Sequence, residues 1–170
     1  NRFVCKSRYA LTGAAVTSVT TLDVDGDGLL DVVIGTQTGV ASGELQYWRN
    51  RGTAQLDFDL TRQVSAPGIV LSVVSGDMGG LTRKDVAMGW RQSETSYVGG
   101  VLVYSTDSGS LAATGSDPSG GLVTSMAPAL NVNNFNYGVQ PSLPTPPYLQ
   151  DIAAGVKTSA TTGALWVFIR

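Results

Sequence analysis

The chain has 170 residues, enough for one domain with a real core, and its 11 basic and 13 acidic side chains leave a net charge of −2. That balance supplies no basic footprint for nucleic acid and no cationic patch for anionic lipid, and no apolar stretch approaches the length of a membrane span. With no histidine and a single cysteine, Cys5, the sequence excludes an intrachain disulfide, histidine-based zinc sites, haem attachment and every histidine-dependent catalytic triad.

Taken in chain order, the elements are short strands separated by Gly, Ser and Asp turns, with no helical periodicity. The opening RFVCKSRYAL (2–11) occupies the place that a fourth strand occupies later in the chain. VTSVTTL (16–22) leads into an acidic loop, and DVVIG (31–35) leaves it as a continuous apolar run suited to a buried inner strand. GELQYWR (43–49) follows a turn. AQLDFDL (54–60) then alternates, placing Leu56, Phe58 and Leu60 on one face.

The same order then repeats. SVTTLDVDGDGLLDVVIGT (18–36) is echoed by SVVSGDMGGLTRKDVAMGW (72–90) with GVLVYSTD (100–107), and again by LNVNNFNYG (130–138) with LQDIAAGVKTS (149–159) and GALWVFIR (163–170). Asp23 aligns with Asp77 and Asn134, after 54 and then 57 residues, and Asp31 aligns with Asp85 and Asp151. A period of this size with four strands per unit is the arithmetic of a propeller blade.

The expected fold is therefore all-β, about three blades of four antiparallel strands, in a single repeat domain over 1–170. Within it, 1–12 is the fourth strand of a preceding blade, 13–62 the first repeat, 63–121 the second, and 122–170 a third that ends before its last strand. Three blades do not close a ring comfortably, so a partial or assembling propeller is expected. The Gly/Ser-rich stretch 106–121 is expected as an exposed connection, and the Pro-rich 139–148 as an extended protrusion. The chain begins at Asn1 without a signal peptide's charged start and apolar stretch, which fits a processed product or an excerpt.

The acidic loop, DVDGDGLLD over 23–31, carries the sharpest chemistry. Calcium is a hard cation that takes 6–8 oxygen ligands. Asp23, Asp25 and Asp27 alternate, so a tight loop can turn all three carboxylates inward. Gly28 follows where a turn needs a residue tolerant of positive φ, Leu29 is spaced to offer its carbonyl, and Asp31 closes the site and opens the next strand. Four carboxylates this close repel without a cation. The start is that of an EF-hand, but Ile34 stands where the closing Glu belongs and both flanks are strands. An Asp/Gly turn without metal is the bland alternative. The sister loops have decayed. Gly79 and Leu81 replace the middle acids between Asp77 and Asp85, and only Asn134, Asn136 and Asp151 remain in the third, so neither is expected to bind calcium well.

These residues resemble FG-GAP/VCBS repeats, the units of β-propellers in integrin α-subunits, fungal lectins and many bacterial surface proteins. The resemblance covers the whole chain at the level of pattern and is specific in the first copy. It implies four-stranded blades, calcium held by Asp23, Asp25, Asp27, Leu29 and Asp31 in the loop between the first two strands, and an extracellular or cell-surface setting.

The expected function is a calcium-stabilised extracellular scaffold, adhesion or assembly module without catalysis, with a protein or glycan partner at the cell surface and neither nucleic acid nor membrane insertion. A lectin-type, carbohydrate-binding propeller is the first alternative. Trp90, Tyr97 and Tyr137 are its candidate stacking residues, while Trp48 and Trp166 are expected to pack within strands. A non-catalytic part of a larger secreted enzyme, or a filament-forming surface protein, is the second. Glu44, Glu94 and Asp117 stand alone rather than as paired catalytic acids, Arg83 and Lys84 form a solvated turn, and Cys5 lacks a histidine partner. The open ends of the repeat admit head-to-tail self-association, with Arg2–Leu11 of one copy completing the last sheet of the next, or further blades of the same polypeptide.

Overall fold

The computed structural model describes residues 5, 7–53, 57–78, 84–108, 111–117, 121–129 and 151–168. The described residues are all-β, in three antiparallel sheets and without a helix. The first sheet orders β1 (Ala15–Leu22), β2 (Asp31–Gly39), β3 (Ser42–Asn50) and β4 (Phe58–Ser65) as a meander. The second does the same with β5 (Ile69–Gly76), β6 (Asp85–Arg91), β7 (Gly99–Ser105) and β8 (Ala112–Asp117). The third contains β9 (Leu122–Ala129), β10 (Asp151–Lys157) and β11 (Gly163–Phe168). These are partial β-propeller blades, and the described residues form no closed ring.

Register shows how faithfully the unit repeats. Ser18 pairs with Gly35, Ser72 with Gly89 and Ser125 with Gly155, and each first strand slips by one residue beside that pair. The bulged residue is Thr17, Leu71 or Thr124, and both threonine hydroxyls donate to the paired glycine's carbonyl, at 2.9 and 3.0 Å.

The blades pack through the same positions. The glycine of D-V-x-x-G has no side chain because the next blade's first strand lies against it. A Cβ on Gly35 would sit 2.4 Å from Val70 Cγ1 and 2.8 Å from Val73 Cγ2, and one on Gly89 would sit 2.5 Å from Val123 Cγ1. A hydrogen bond crosses each junction beside the glycine. The Val73 N–H donates to Ser18 Oγ at 2.9 Å, and the Met126 N–H donates to Ser72 Oγ at 3.0 Å. Two apolar clusters fill the space between sheets. One joins the first two blades through Val33, Leu45, Val70 and Met88, and the other joins the second and third through Ala87, Val123, Ile152 and Val156.

Three expectations change. The fourth strand of the first blade includes 58–65 and so continues past the alternating 54–60, of which 54–56 with Leu56 lie outside the described residues, and Leu60 is exposed, because β4 is an outer strand that pairs only with β3 and buries little beyond Val64. The Gly/Ser-rich connection contains β8, which pairs antiparallel with β7. Among the described residues of 1–12 there is no strand. Instead Tyr9 lies against the outer side of the first blade, its ring 5.5 Å from Trp48 and 6.3 Å from Phe58, and its hydroxyl accepts from the Phe58 N–H at 2.8 Å. Cys5 is exposed and free. The Pro-rich 139–148 lies outside the described residues.

Candidate metal centre

The loop between β1 and β2 is fixed from beneath before any metal is considered. Leu22 and Val24 are fully buried, anchoring its start in the core, while Asp25 to Leu30 face outward to varying degrees. Gly26 and Gly28 have φ of 80° and 85°, the left-handed turns that let the backbone fold around the carboxylates. Asp23 gathers the loop, its Oδ1 accepting from the Gly26 N–H at 2.6 Å and its Oδ2 from the Gly28 N–H at 2.9 Å. Asp25 Oδ1 accepts from the Asp27 N–H at 3.2 Å, and Asp27 Oδ1 from the Leu29 N–H at 2.9 Å.

The outcome is that Asp23, Asp25 and Asp27 each bring one carboxylate oxygen within 4.8 Å of the others. Three hard oxygen donors converging on a solvent-accessible point fit a calcium-sized cation, which also accepts backbone carbonyls and water. When bound, such an ion supplies the positive charge that offsets the mutual repulsion of the loop. A cation of the chain's own already sits there. Arg49, on β3, places Nε 2.6 Å from Asp25 Oδ2 and a terminal nitrogen 3.3 Å from Asp27 Oδ2. The Asp27 hydrogen bond and the Asp25 charge push the guanidinium's pKa up.

Asp31 is placed differently from the other three acids. It is fully buried, outside the converging group, and committed to the scaffold. Its Oδ2 accepts from the Val24 N–H at 2.9 Å and the Tyr47 hydroxyl at 3.2 Å, and its Oδ1 from the Asn50 N–H at 2.8 Å. Burial pushes its pKa up while the Asn50 and Val24 amides pull it down. Burial also pushes the Tyr47 hydroxyl far above the ordinary tyrosine value, with the Asp31 charge adding to it. The side chain of Leu29 is exposed, and its N–H is held by Asp27.

The second blade keeps this clasp without the metal-type acids. Asp85 is buried and its Oδ2 accepts from the Met78 N–H at 2.9 Å, the counterpart of Asp31 and Val24 seven residues apart in both blades. The closing aspartate of the motif is thus a backbone clasp in its own right, a role that the spacing of the sequence does not separate from ligation. Gly79, Leu81, Asn134 and Asn136 lie outside the described residues.

The remaining candidates scatter. Trp90 is buried in the core, so its ring is not offered to a sugar, and Trp48 stacks on Tyr9. Trp166 packs against the second cluster, Tyr97 is exposed on the β6–β7 loop, and Tyr137 lies outside the described residues. Glu44 accepts from the side-chain amides of Gln46 and Gln63, and Glu94 from Gln37 at 2.6 Å, so neither faces a second carboxylate in these contacts. Lys84 is exposed, as expected of a turn, and gives its carbonyl to the Thr106 hydroxyl. Arg83 lies outside the described residues, as does the side chain of Asp117.

No curated protein matches the chain. Such repeats bind calcium in general and are generally found in extracellular proteins. Residues 15–47, which span the acidic loop, both strands that flank it and most of β3, match the family model of the FG-GAP repeat.

Proposed function

We propose that the chain is a calcium-stabilised, extracellular β-propeller module that acts as a non-catalytic scaffold for adhesion or assembly. The observation that carries this reading is the convergence of Asp23, Asp25 and Asp27 within 4.8 Å, in a loop whose base is separately clasped by Asp31. A base held without the ion leaves the exposed acids free to respond to it, so calcium stiffens a corner of the blade rather than taking part in a reaction. The setting is supported by the family's general occurrence, and among the described residues no helix is long and apolar enough to cross a membrane. The absence of catalysis is supported by the isolation of Glu44 and Glu94 from other carboxylates in their hydrogen bonds. The test is a melting curve with calcium and with chelator. The native chain is expected to melt higher with calcium, and Asp25→Ala with Asp27→Ala to abolish that difference. Equal melting of the native chain in both conditions would remove the reading.

A specific observation favours assembly as well. The junction between blades occurs twice within the chain, and its two unmatched halves remain on the outer blades. Val16 and Val19, the counterparts of Val70 and Val73 by register, are 55% and 59% exposed, against 0% and 4% for the latter pair. At the other end Gly155 and Ser125, the counterparts of Gly35 and Ser18, face no further blade, and Ser125 is exposed. These halves are complementary, so the partner is another blade, on a second copy or on the same polypeptide. Light scattering distinguishes the two. Self-association lost in Val16→Ser with Val19→Ser supports the second copy, and a monodisperse monomer at high concentration excludes it.

A further inference from the structure

The end of the molecule opposite the acidic loop contains a cleft that neither calcium nor blade packing uses. It has a volume of about 440 Å³ and opens between the second and third blades, where β6 and β10 end in Arg91 and Lys157. That size is within the range of sites for small ligands.

Its chemistry differs from that of the rest of the chain, whose net charge is negative. Register makes Gln37, Arg91 and Lys157 the same position in successive blades, paired with Gly43, Gly99 and Gly163. Between the first two blades the first blade contributes the neutral Gln37 at this position, and the opening is closed. The β6–β7 loop folds over it, the Glu94 N–H donating to the Val40 carbonyl at 3.0 Å and the Glu94 carboxylate accepting from Gln37. Between the second and third blades the position is cationic on both sides and open. The Glu94 carboxylate, turned to Gln37, forms no ion pair with either cation, and among the described residues neither Arg91 nor Lys157 has an acidic partner.

Arg91 is poised rather than satisfied. One terminal nitrogen donates to the Glu94 carbonyl at 3.0 Å, while its Nε is buried without a hydrogen-bond partner. That Nε is shielded from solvent and is not itself offered to a ligand, but the guanidinium as a whole has no acidic partner among the described residues, and an oxyanion is its natural complement. Lys157 Nζ lies 5.8 Å from the centre of the Tyr97 ring, held over an exposed aromatic instead of an acid. Around the two charges stand hydroxyls of Ser96 and Thr124, with Leu71 and Leu122 as the apolar wall, and Glu94 also lines the cleft while its carboxylate accepts from Gln37.

We propose that this cleft is a binding site for a carboxylate-bearing saccharide of the uronic acid class. The carboxylate lies between Arg91 and Lys157, and the sugar's hydroxyls meet Ser96, Thr124 and the rim of Tyr97. Two cations facing one opening select against neutral and positive ligands. The mixture of hydroxyls, a ring and an apolar wall suits a polyol ring better than a bare inorganic ion.

The site is far from Asp23, Asp25 and Asp27, so its test is independent of the calcium reading. Methyl glucuronide, methyl glucoside and inorganic sulfate are titrated separately into the chain and followed by amide chemical shifts. The expected result is saturable binding of the glucuronide, with shifts at Arg91, Tyr97 and Lys157, and binding of the glucoside weaker by about tenfold or more. Lys157→Gln should weaken the glucuronide by a similar factor and leave the calcium-dependent melting unchanged. Arg91→Gln should do the same, and Lys157→Gln carries the test if Arg91→Gln fails to fold. Three results would each overturn the proposal. These are no shifts with glucuronide, equal binding of glucoside, and sulfate binding as tightly as glucuronide, which would make the cleft a simple anion site.

Discussion

Placing a methyl group on the junction glycines is the sharpest test of how the blades are held together. A Cβ on Gly35 would lie 2.4 Å from Val70 Cγ1 and 2.8 Å from Val73 Cγ2, and both valines are buried, at 0% and 4% exposure, so neither can move aside into solvent. Overpacking of a closed interior costs roughly 1–3 kcal/mol. In a chain of this length each kcal/mol lowers Tm by about 2–4 °C, so Gly35→Ala should melt roughly 2–12 °C below the native chain. Gly89→Ala should behave alike, since its Cβ would lie 2.5 Å from Val123 Cγ1. Gly155→Ala is the internal control. Its Cβ would meet only Ser125 Oγ at 2.9 Å and Thr124 Oγ1 at 3.3 Å, and the exposed Ser125 can rotate away. Its Tm should change little while that face is free. Combining Gly35→Ala with Val70→Ala removes the shorter of the two clashes and leaves Val73 Cγ2 at 2.8 Å, so the pair should be less destabilised than the sum of the single changes. Calorimetry of the native chain, the three glycine variants, Val70→Ala and the double variant decides. An unchanged Tm for Gly35→Ala, or an equal fall for Gly155→Ala, would refute the account of the junction.

The remaining predictions concern the loop and its clasp. Arg49→Gln removes the cation that shares Asp25 and Asp27, so calcium affinity measured by titration should rise while Tm in chelator falls, and both effects should shrink at high salt. Asp85→Ala strands the buried Met78 N–H and should cost about 1–3 kcal/mol by denaturant unfolding, with calcium binding at the first loop retained. Tyr47 and Tyr104 both have raised pKa values, through burial first. An acid whose folded pKa is raised holds its proton more tightly in the folded state, so stability is lost as pH rises above about 10, where the unfolded tyrosine ionises. Two of the six tyrosines should therefore give their ultraviolet tyrosinate signal only as the chain unfolds, and a full signal before unfolding would contradict their burial.

Most of the blade plan is legible in the residues because alternation and repetition are local properties. An Asp followed by Val or Ile, with Gly three residues further on, appears as DVVIG, DVAMG and DIAAG, and each run became the second strand of a sheet, with the acidic loop ahead of the first. What was not legible depends on non-local partners. The small residues 112–117 carry no strand signal and form β8 because β7 offers an unpaired edge. Trp90 looked available from its place after an apolar run, and the packing of the first cluster buries it. Asp31 matched the spacing of a ligand, but only the amides of Val24 and Asn50 and the Tyr47 hydroxyl reveal it as the clasp of the loop. Tyr9 sits where the repeat places a fourth strand, and its ring lies against those of Trp48 and Phe58.

The three blades are therefore alike where they touch one another and different where they face solvent. The Ser–Gly pair recurs in all three sheets, and the hydrogen bond that crosses from one blade to the next recurs at both junctions, because each junction needs the same close approach. The loops at the two ends carry no such constraint once the closing aspartate has clasped the turn. At one end this freedom leaves three converging carboxylates in the first blade, while the second keeps the clasp. At the other it turns Gln37 into Arg91 and Lys157 and opens the cleft between them. A packing rule confined to the strands lets the ends diverge without loss of the fold, so cation binding and ligand recognition can occupy opposite ends of the same sheets.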